Sequence, residues 1–233
     1  MSQLTFQFDA TPNYSGENFL IGDNNCAAFN VVHAWPNWPA PTVILTGPVG
    51  VGKTHLLNLW CAHAKALPCP AGNLQGDFNP TRYVERPIAI DDADQVSAQV
   101  GRERALLHLY NLALQNKQTL LMTAERHPQH WGLLLPDLAS RLRAAVVVEV
   151  REPDEHLMRQ LYQKLFADRQ LNVPEQVIDW LLLRLDRSAV TAQNTVLALD
   201  HAALEHQKPI TIWLARKVLG YGDDEDESNE KEV

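Results

Sequence analysis

The stretch GPVGVGKT at residues 47–54 decides the fold, and it directly follows the apolar run TVILT at 42–46. It fits the pattern G-x-x-x-x-G-K-[ST] in full. Glycines leave backbone N–H groups open to a phosphate, and a following helix points its N-terminal N–H groups at the anion. The sequence therefore predicts a phosphate-binding loop between a buried strand and a helix.

Two side chains of this loop have predicted roles. Lys53 is placed for the β- and γ-phosphates of a nucleotide, and the Thr54 hydroxyl is placed for Mg²⁺. A chance match is the alternative, but the strand before the loop and the helix after it favour phosphate binding. The remaining cofactor-binding candidates surround these two: Gly47, Pro48, Val49, Gly50, Val51, Gly52 and His55.

Paired carboxylates end a second apolar run, PIAI at 87–90, which leads into Asp91 and Asp92. Two buried carboxylates need a cation or hydrogen bonds to offset their desolvation. We expect Asp91 to hold Mg²⁺ and Asp92 to polarise an attacking water, although many ATPases have Glu at that position. An N-cap of the next helix is the alternative for Asp92.

A third apolar run, at 119–123, ends in TAERHP. Ligands of parallel sheets bind at the carboxyl ends of strands. Thr123 and Glu125 are therefore candidates for contact with the γ-phosphate, and a plain exit from strand to loop is the alternative.

The order of elements predicts an α/β fold. Short apolar blocks at 42–46, 87–90, 119–123 and 146–150 alternate with helical stretches, which is typical of a parallel sheet covered on both faces. A further strand is expected within 69–83, where the Pro-, Gly- and Asn-rich sequence hides it. From 153 onward only helical periodicity remains. We expect a P-loop three-layer domain at 11–152 and a small all-helical lid at 153–221.

Charge is concentrated at one end of the sequence. Of the net charge of −8 over 233 residues, residues 223–233 (DDEDESNEKEV) carry −6, from seven acids and one lysine. The rest of the chain is close to neutral, so strong direct DNA binding is not expected. The acidic segment at 222–233 is predicted to be disordered and solubilising. The absence of a long apolar run or secretory signal, together with three unpaired-looking cysteines, favours a cytoplasmic protein without membrane contact.

Six tryptophans stand out in the composition. Trp60, Trp180 and Trp213 fall within helical stretches and are predicted to be core residues. Trp35 and Trp38 lie in the proline-rich HAWPNWPAP, where they either cover a sheet edge or contact a partner.

Taken together, ENFLIGDNN (17–25), GPVGVGKTHLL, IAIDDAD, LLMTAERHP and LPDLASRL (135–142) resemble the DnaA-related AAA+ family, from about residue 6 to 219. The sequence lacks the helix-turn-helix domain with which DnaA continues, and in this it is similar to the Hda group of regulators. The resemblance implies a bacterial, replisome-associated protein that binds ATP or ADP with Mg²⁺. It also implies that Leu20, Ile21 and Gly22 flank the adenine, where a tight turn at Gly22 is the alternative.

The Hda resemblance implies two protein partners, DnaA and the DNA polymerase III sliding clamp, and a homo-oligomer, expected to be a dimer. Such regulators stimulate ATP hydrolysis on DnaA and so limit initiation of replication. Residues 1–10 contain QLTFQF, which is similar to a clamp-binding peptide through Gln3, Leu4, Phe6 and Phe8. A first strand or ordered arm is the alternative for this peptide.

In the family, an arginine that matches Arg141 reaches the ATP of a neighbouring subunit, where a guanidinium offsets charge on the transferring phosphoryl group. The alternative for Arg141 is a surface pair with Asp137, one turn earlier. The family's lid arginine is missing, because Val190 falls at its position. Arg187 lies one turn before. Weak intrinsic hydrolysis is therefore expected.

Two other functions remain open. One is an initiator or loader that acts on DNA directly, which is disfavoured because the chain before residue 223 is close to neutral. The other is a small-molecule P-loop kinase, which would need clustered arginines near the loop, whereas the arginines of the helical part are scattered.

Overall fold

The computed structural model describes residues 19–75, 78–83 and 85–221. These residues form two compact units. The first contains residues 19–21, Cys26–Gly47 and Lys53–Glu149. The second contains Gly22–Asn25, Pro48–Gly52 and residues 150–221. The turn that follows Gly47 thus belongs to the second unit, while Gly47 and Lys53 at its two ends belong to the first.

A parallel sheet of five strands forms the centre of the first unit, with the order β2-β3-β4-β1-β5. Every residue of β1, β3 and β4 is buried, as their unbroken apolar sequences predict. The strand expected within 69–83 lies just before that segment, which instead holds two short 3-10 helices. The strands are β1 (Thr42–Thr46), β2 (Leu67–Pro68), β3 (Ile88–Ile90), β4 (Leu120–Ala124) and β5 (Val146–Glu149).

Four helices accompany the sheet: α1 (Cys26–His33), α2 (Lys53–Ala64), α3 (Val100–Gln115) and α4 (Pro136–Arg143). Side chains of α3 and α4 pack with the sheet in one apolar core. Its members include Ile44, Met122, Leu106, Leu109 and Leu138. The core fixes the strands and therefore the loops at their carboxyl ends.

The second unit is built mainly from four helices: α5 (Glu155–Asp168), α6 (Glu175–Arg184), α7 (Ala189–His206) and α8 (Ile212–Leu219). Three of them begin at a side-chain cap, in which Asp154, Ser188 and Thr211 accept backbone N–H groups of the first turn. Their apolar faces share a core that includes Tyr162, Phe166, Leu181, Leu199 and Leu214. None of the helices in the described part of the chain combines the length and apolarity needed to cross a bilayer.

The tryptophans divide between core and surface. Trp60 and Trp180 are buried as predicted, but Trp213 is 45% exposed, so its assignment to the core was wrong. Helical spacing alone did not reveal which face of α8 points inward. Trp35 and Trp38 pack against Trp60, with ring centroids 6.3 and 5.2 Å away. The Trp35 indole also donates to the Thr119 hydroxyl beside β4, so both cover the first unit's own elements.

Candidate functional site

The polar segments that follow β1, β3 and β4 lie at one edge of the sheet. β4 lies between β3 and β1, so the residues after these strands are neighbours. The buried Thr123 hydroxyl at the end of β4 donates to the Asp91 carboxylate and accepts the Asp92 backbone N–H at 2.8 Å. The structure thus brings together Asp91, Asp92 and Thr123, which the sequence placed at separate strand ends.

Thr54 and Asp91 lie side by side. The Thr54 hydroxyl is 3.1 Å from each carboxylate oxygen of Asp91. In the ranges that the structure describes, no group of three or more His, Cys, Asp or Glu side chains is arranged for a metal ion. A hydroxyl beside a carboxylate nevertheless fits Mg²⁺, which is commonly bound through one or two protein oxygens, phosphates and water.

Lys53 is the first residue of α2, and only 6% of it is exposed. Its Nζ donates to the Gly47 carbonyl at 2.8 Å. Burial lowers the Lys53 pKa, and the negative charges of Asp92 and Glu125 act most strongly against that shift. The result is an amine held near the Gly47 carbonyl and surrounded by carboxylates, where an anionic phosphate would further favour its charged form.

Asp92 has a left-handed backbone, with φ of +52°. It occupies the N-cap position of the 3-10 helix Ala93–Val96, but its side chain makes no capping hydrogen bond there. Its carboxylate instead accepts from the Gln95 amide at 3.3 Å. Burial and the adjacent Asp91 charge raise the Asp92 pKa, which makes this carboxyl group a better proton acceptor than an exposed aspartate.

Asp94 is a residue of this site that the sequence did not reveal. It is 7% exposed, and its carboxylate accepts the Glu125 backbone N–H at 3.2 Å. The Glu125 side chain itself is exposed. Asp94 therefore fixes the backbone that follows β4. The third aspartate of DDAD was the available signal, but nothing in the sequence showed that it turns inward.

The turn Pro48–Gly52 packs within the second unit. Gly47, Gly50 and Gly52 have φ of 148°, 82° and 100°, which favour glycine. A Cβ at Gly50 would lie 2.1 Å from the Ser188 hydroxyl oxygen, and the Gly50 carbonyl accepts the Ala189 N–H at 3.1 Å. The turn thus contacts the first residues of α7 through its backbone.

The predicted adenine-flanking residues show the turn that was their alternative. Gly22 donates its N–H to the Asn25 side chain at 3.0 Å, and its carbonyl accepts the Asn25 N–H at 3.1 Å. Leu20 is half-buried and Ile21 is 49% exposed. A turn does not oppose a role in nucleotide binding, so both interpretations remain compatible with this backbone.

His55 lies on α2, with its ring centroid 5.1 Å from that of Phe19. Burial lowers the His55 pKa, so the ring is neutral near pH 7. Val51 is buried, whereas Val49 is 72% exposed. Any direct part that His55 or Val49 plays with a ligand stays a prediction.

Arg141 lies on α4 with its Nε 3.1 Å from Asp137 Oδ1, so the local pair that was its alternative is present. Its guanidinium carbon is also 5.9 Å from the centroid of the buried Tyr110 ring. About a third of the Arg141 side chain is exposed, and exposed pairs one turn apart contribute little free energy. The pair therefore orients the guanidinium, but it is too weak to prevent the guanidinium from binding another group.

The lid offers no arginine at the expected position. Val190 is 53% exposed in the first turn of α7. Arg187 lies 3.9 Å from a carboxylate oxygen of Glu155, with both side chains more than half exposed. Arg187 thus has a partner within the second unit.

Glu103 is a second buried acid that the sequence did not single out, and it is fully buried on α3. Its carboxylate accepts the backbone N–H groups of Leu134, at 2.9 Å, and Leu135, at 2.8 Å. These residues directly precede α4, so Glu103 fixes the start of the helix that carries Arg141. The surrounding sequence GRERALL is typical of an exposed helical turn, so it does not predict a buried glutamate.

We predict that Glu103→Ala destabilises the first unit by about 2–4 kcal/mol, because two partly buried N–H groups lose a charged acceptor. Glu103→Gln keeps one acceptor oxygen and should cost about half as much. Urea unfolding followed by circular dichroism measures both. Equal stability of the alanine variant and the unmodified chain would show that water replaces the carboxylate.

Cys61 gives a test of the electrostatics beside Asp91. Burial, and then the Asp91 charge, raises the pKa of the Cys61 thiol to about 11. Because the thiolate is the nucleophile, iodoacetamide should alkylate Cys61 about 100-fold more slowly than N-acetylcysteine at pH 8. With Cys26 and Cys69 replaced by serine, the rate should keep rising about tenfold per pH unit beyond pH 9. A rate that levels off near pH 8.5 would contradict the raised pKa.

Several predicted residues lie outside the described part of the chain. They are the clamp-binding candidates Gln3, Leu4, Phe6 and Phe8, and the acidic segment at 222–233. Both interpretations stay predictions.

Comparison with known families gives two matches that correspond to the two parts of the chain. Residues 10–68 match the family model of the bacterial DnaA ATPase domain, and residues 154–219 match that of the Hda lid domain. Over these two stretches the chain matches the DnaA-related AAA+ family. The match to the Hda lid model confirms the resemblance that the sequence motifs indicated.

Relatives and solved structures are in agreement with this DnaA-related family. The replication initiator DnaA of Flavobacterium psychrophilum is 22% identical over 93% of the chain, which spans only half the length of that relative. Domain III of Thermotoga maritima DnaA superposes with a TM-score of 0.79 at 21% identity, covering 90% of this chain and 97% of that one. AMPPCP-bound DnaA from Aquifex aeolicus gives 0.71 at 24% identity, covering 83% and 67%. The likeness confirms the α/β fold of the AAA+ type followed by a helical lid.

Proposed function

We propose that this DnaA-related protein binds ADP or ATP with Mg²⁺ and acts as an Hda-type regulator. In this role it would work with the sliding clamp to stimulate ATP hydrolysis on DnaA. The observation that carries the regulatory role is the match of residues 154–219 to the Hda lid family. Nucleotide binding is supported by the buried Lys53 at Gly47 and by the adjacent Thr54 and Asp91 oxygens.

In the proposed bound state, Lys53 exchanges its bond with the Gly47 carbonyl for phosphate oxygens. Thr54 and Asp91 would hold Mg²⁺, which supplies charge neutralisation when bound. The Thr123 hydroxyl fixes the Asp91 carboxylate and the Asp92 backbone through its two hydrogen bonds. Asp92 would orient water, but an aspartate is one methylene shorter than glutamate, and Val190 provides no charge from the lid. Slow turnover by the isolated chain follows.

Action on DnaA would come from Arg141. The partly exposed guanidinium on α4 lies beside the Asp137 carboxylate and 5.9 Å from the centroid of the Tyr110 ring. It is proposed to enter the ATP site of a DnaA molecule and to offset charge on the γ-phosphate during transfer. We also propose that the chain forms a homodimer.

The deciding experiment combines the purified chain, ADP, clamp loaded on DNA, and DnaA carrying labelled ATP. We expect hydrolysis on DnaA to accelerate only when both the chain and the clamp are present. Acceleration without the clamp would remove the clamp from the mechanism, and no acceleration at all would overturn the regulatory role.

The clamp partnership has a test of its own. Deleting residues 2–8 should weaken capture of the chain by immobilised clamp about 100-fold, because the glutamine and large apolar side chains of such a peptide supply the contacts. Surface plasmon resonance measures the change, and Gln7→Ala serves as the control because Gln7 is not among the proposed contacts. Undiminished capture would return the peptide to a structural role.

An initiator that acts on DNA itself is the second candidate, because a solved DnaA structure of similar fold is described as bound to AMPPCP and single-stranded DNA. A DNA mobility shift at physiological salt that weakens steeply with added salt would favour it.

A further inference from the structure

Helix α8 presents an aromatic ring outward. Leu214 and Ala215 on this helix are buried, whereas Trp213 is 45% exposed. An exposed tryptophan leaves a large apolar area in water, in contrast with the buried Trp180 of the same unit. This ring is therefore accessible to a ligand outside the lid core.

Two lysines flank this ring. The Nζ atoms of Lys208 and Lys217 each lie 5.2 Å from the centroid of Trp213. Both lysines are exposed, and neither forms an ion pair with any acid that the structure describes. We call these three residues the Lys–Trp–Lys patch. Within the described residues it presents two positive charges and an aromatic face that no ion pair occupies.

The sequence supplies a matching anion close by. Residues 223–233 carry seven acids and one lysine. The described chain leads into them from Tyr221, whose hydroxyl donates to the Arg184 carbonyl at 3.0 Å and whose ring lies against Trp180. Tyr221 is thereby fixed in the same unit as the patch.

The acidic segment is long enough to reach the patch from Tyr221. Trp213 lies eight residues before Tyr221, about 12 Å along a helix, whereas ten extended residues span about 33 Å. A short covalent tether also raises the effective concentration of a segment to about the millimolar range. Charge contacts too weak to hold a separate peptide can therefore be populated within one chain.

We propose that the Lys–Trp–Lys patch is the docking surface for the chain's own acidic segment at 223–232. The carboxylates neutralise Lys208 and Lys217, and the backbone covers the Trp213 ring. Docking would withhold the patch from other acidic ligands, and its dependence on charge makes it sensitive to salt.

Zero-length carbodiimide cross-linking of the full chain tests this contact, with peptides identified by mass spectrometry. Links from the 223–232 carboxylates to Lys208 or Lys217 should exceed links to Lys164 at least about threefold, as expected for weak ion pairs. Lys164 is the matched control, because it is on the same unit and pairs with Asp168 at 3.2 Å. The excess should vanish at 1 M salt.

A mixture of ¹⁴N- and ¹⁵N-labelled chains identifies the source of the acid. Links within one isotope support the intrachain contact, whereas mixed links would overturn it and assign the patch to a second copy. Equal links to all three lysines would also overturn it. As an independent measurement, replacing the five acids at 223–227 by their amides should increase acrylamide quenching of tryptophan. That increase should be absent in the Trp213→Phe background, and its persistence there would contradict docking on the ring.

Discussion

Lys53→Ala is expected to lower the affinity of the chain for ADP and ATP by at least about 100-fold, because each charge-assisted hydrogen bond to phosphate contributes about 1.5–3 kcal/mol. The effect is large for a reason specific to this site. The Lys53 amine lies close enough to four carboxylates for their charges to act on its pKa, and these belong to Asp92, Glu125, Asp94 and Asp91. Its removal leaves these acids to repel a polyphosphate.

Isothermal titration calorimetry with Mg²⁺–ADP measures the loss. Lys164→Ala removes the same charge from the surface of α5 and should bind as the unmodified chain does. The fold should survive Lys53→Ala, because the substitution removes a buried charge whose desolvation was unfavourable. Unchanged affinity with an intact circular dichroism spectrum would show that residues 47–54 do not hold the phosphates.

Arg141→Ala is expected to leave Mg²⁺–ADP binding within about twofold, while it lowers the stimulation of DnaA hydrolysis about 1,000-fold or to background. The two effects separate because Arg141 makes its contacts with Asp137 and Tyr110 on α4 and α3 rather than with the phosphate loop. Loss of an exposed pair should change the free energy of unfolding by less than about 1 kcal/mol. Single-turnover hydrolysis of labelled ATP on DnaA gives the rate.

Two neighbours distinguish the finger from the local pair. Asp137→Asn breaks the pair of 3.1 Å but keeps the guanidinium, so stimulation should be retained or increased. Arg143→Ala removes an exposed charge two residues along the same helix and should have little effect. If Asp137→Asn lost stimulation as completely as Arg141→Ala, the pair would be the functional unit and the finger assignment would be wrong.

The sequence predicted those site residues that belong to local motifs at the ends of strands. The glycines at 47, 50 and 52, the aspartates after β3 and Thr123 near the end of β4 were all predicted as site residues from the sequence. A parallel sheet makes this possible, because each strand ends at the same edge. The short β2 was misplaced because two residues, one of them proline, carry almost no periodic signal.

Buried polar residues were harder to predict. Glu103 and Asp94 accept backbone N–H groups from segments about 31 residues further along the chain. Such contacts depend on which side of a helix or turn faces the core, and composition does not encode this. For Trp213 the error was the reverse, because a residue predicted to be buried is exposed. Helical spacing predicted its helix correctly but not the direction of its ring. Long-range geometry decided all three residues.

The close approach of Gly50 to Ser188 restricts how this sequence is able to diverge. Any β-carbon at position 50 would meet the Ser188 hydroxyl at 2.1 Å, and the Gly50 carbonyl is held by Ala189. The open space beside Gly72 imposes no such restriction. Natural variants should therefore preserve glycine at 50 and a small residue at 188 as a correlated pair, even where the surrounding lid surface changes freely.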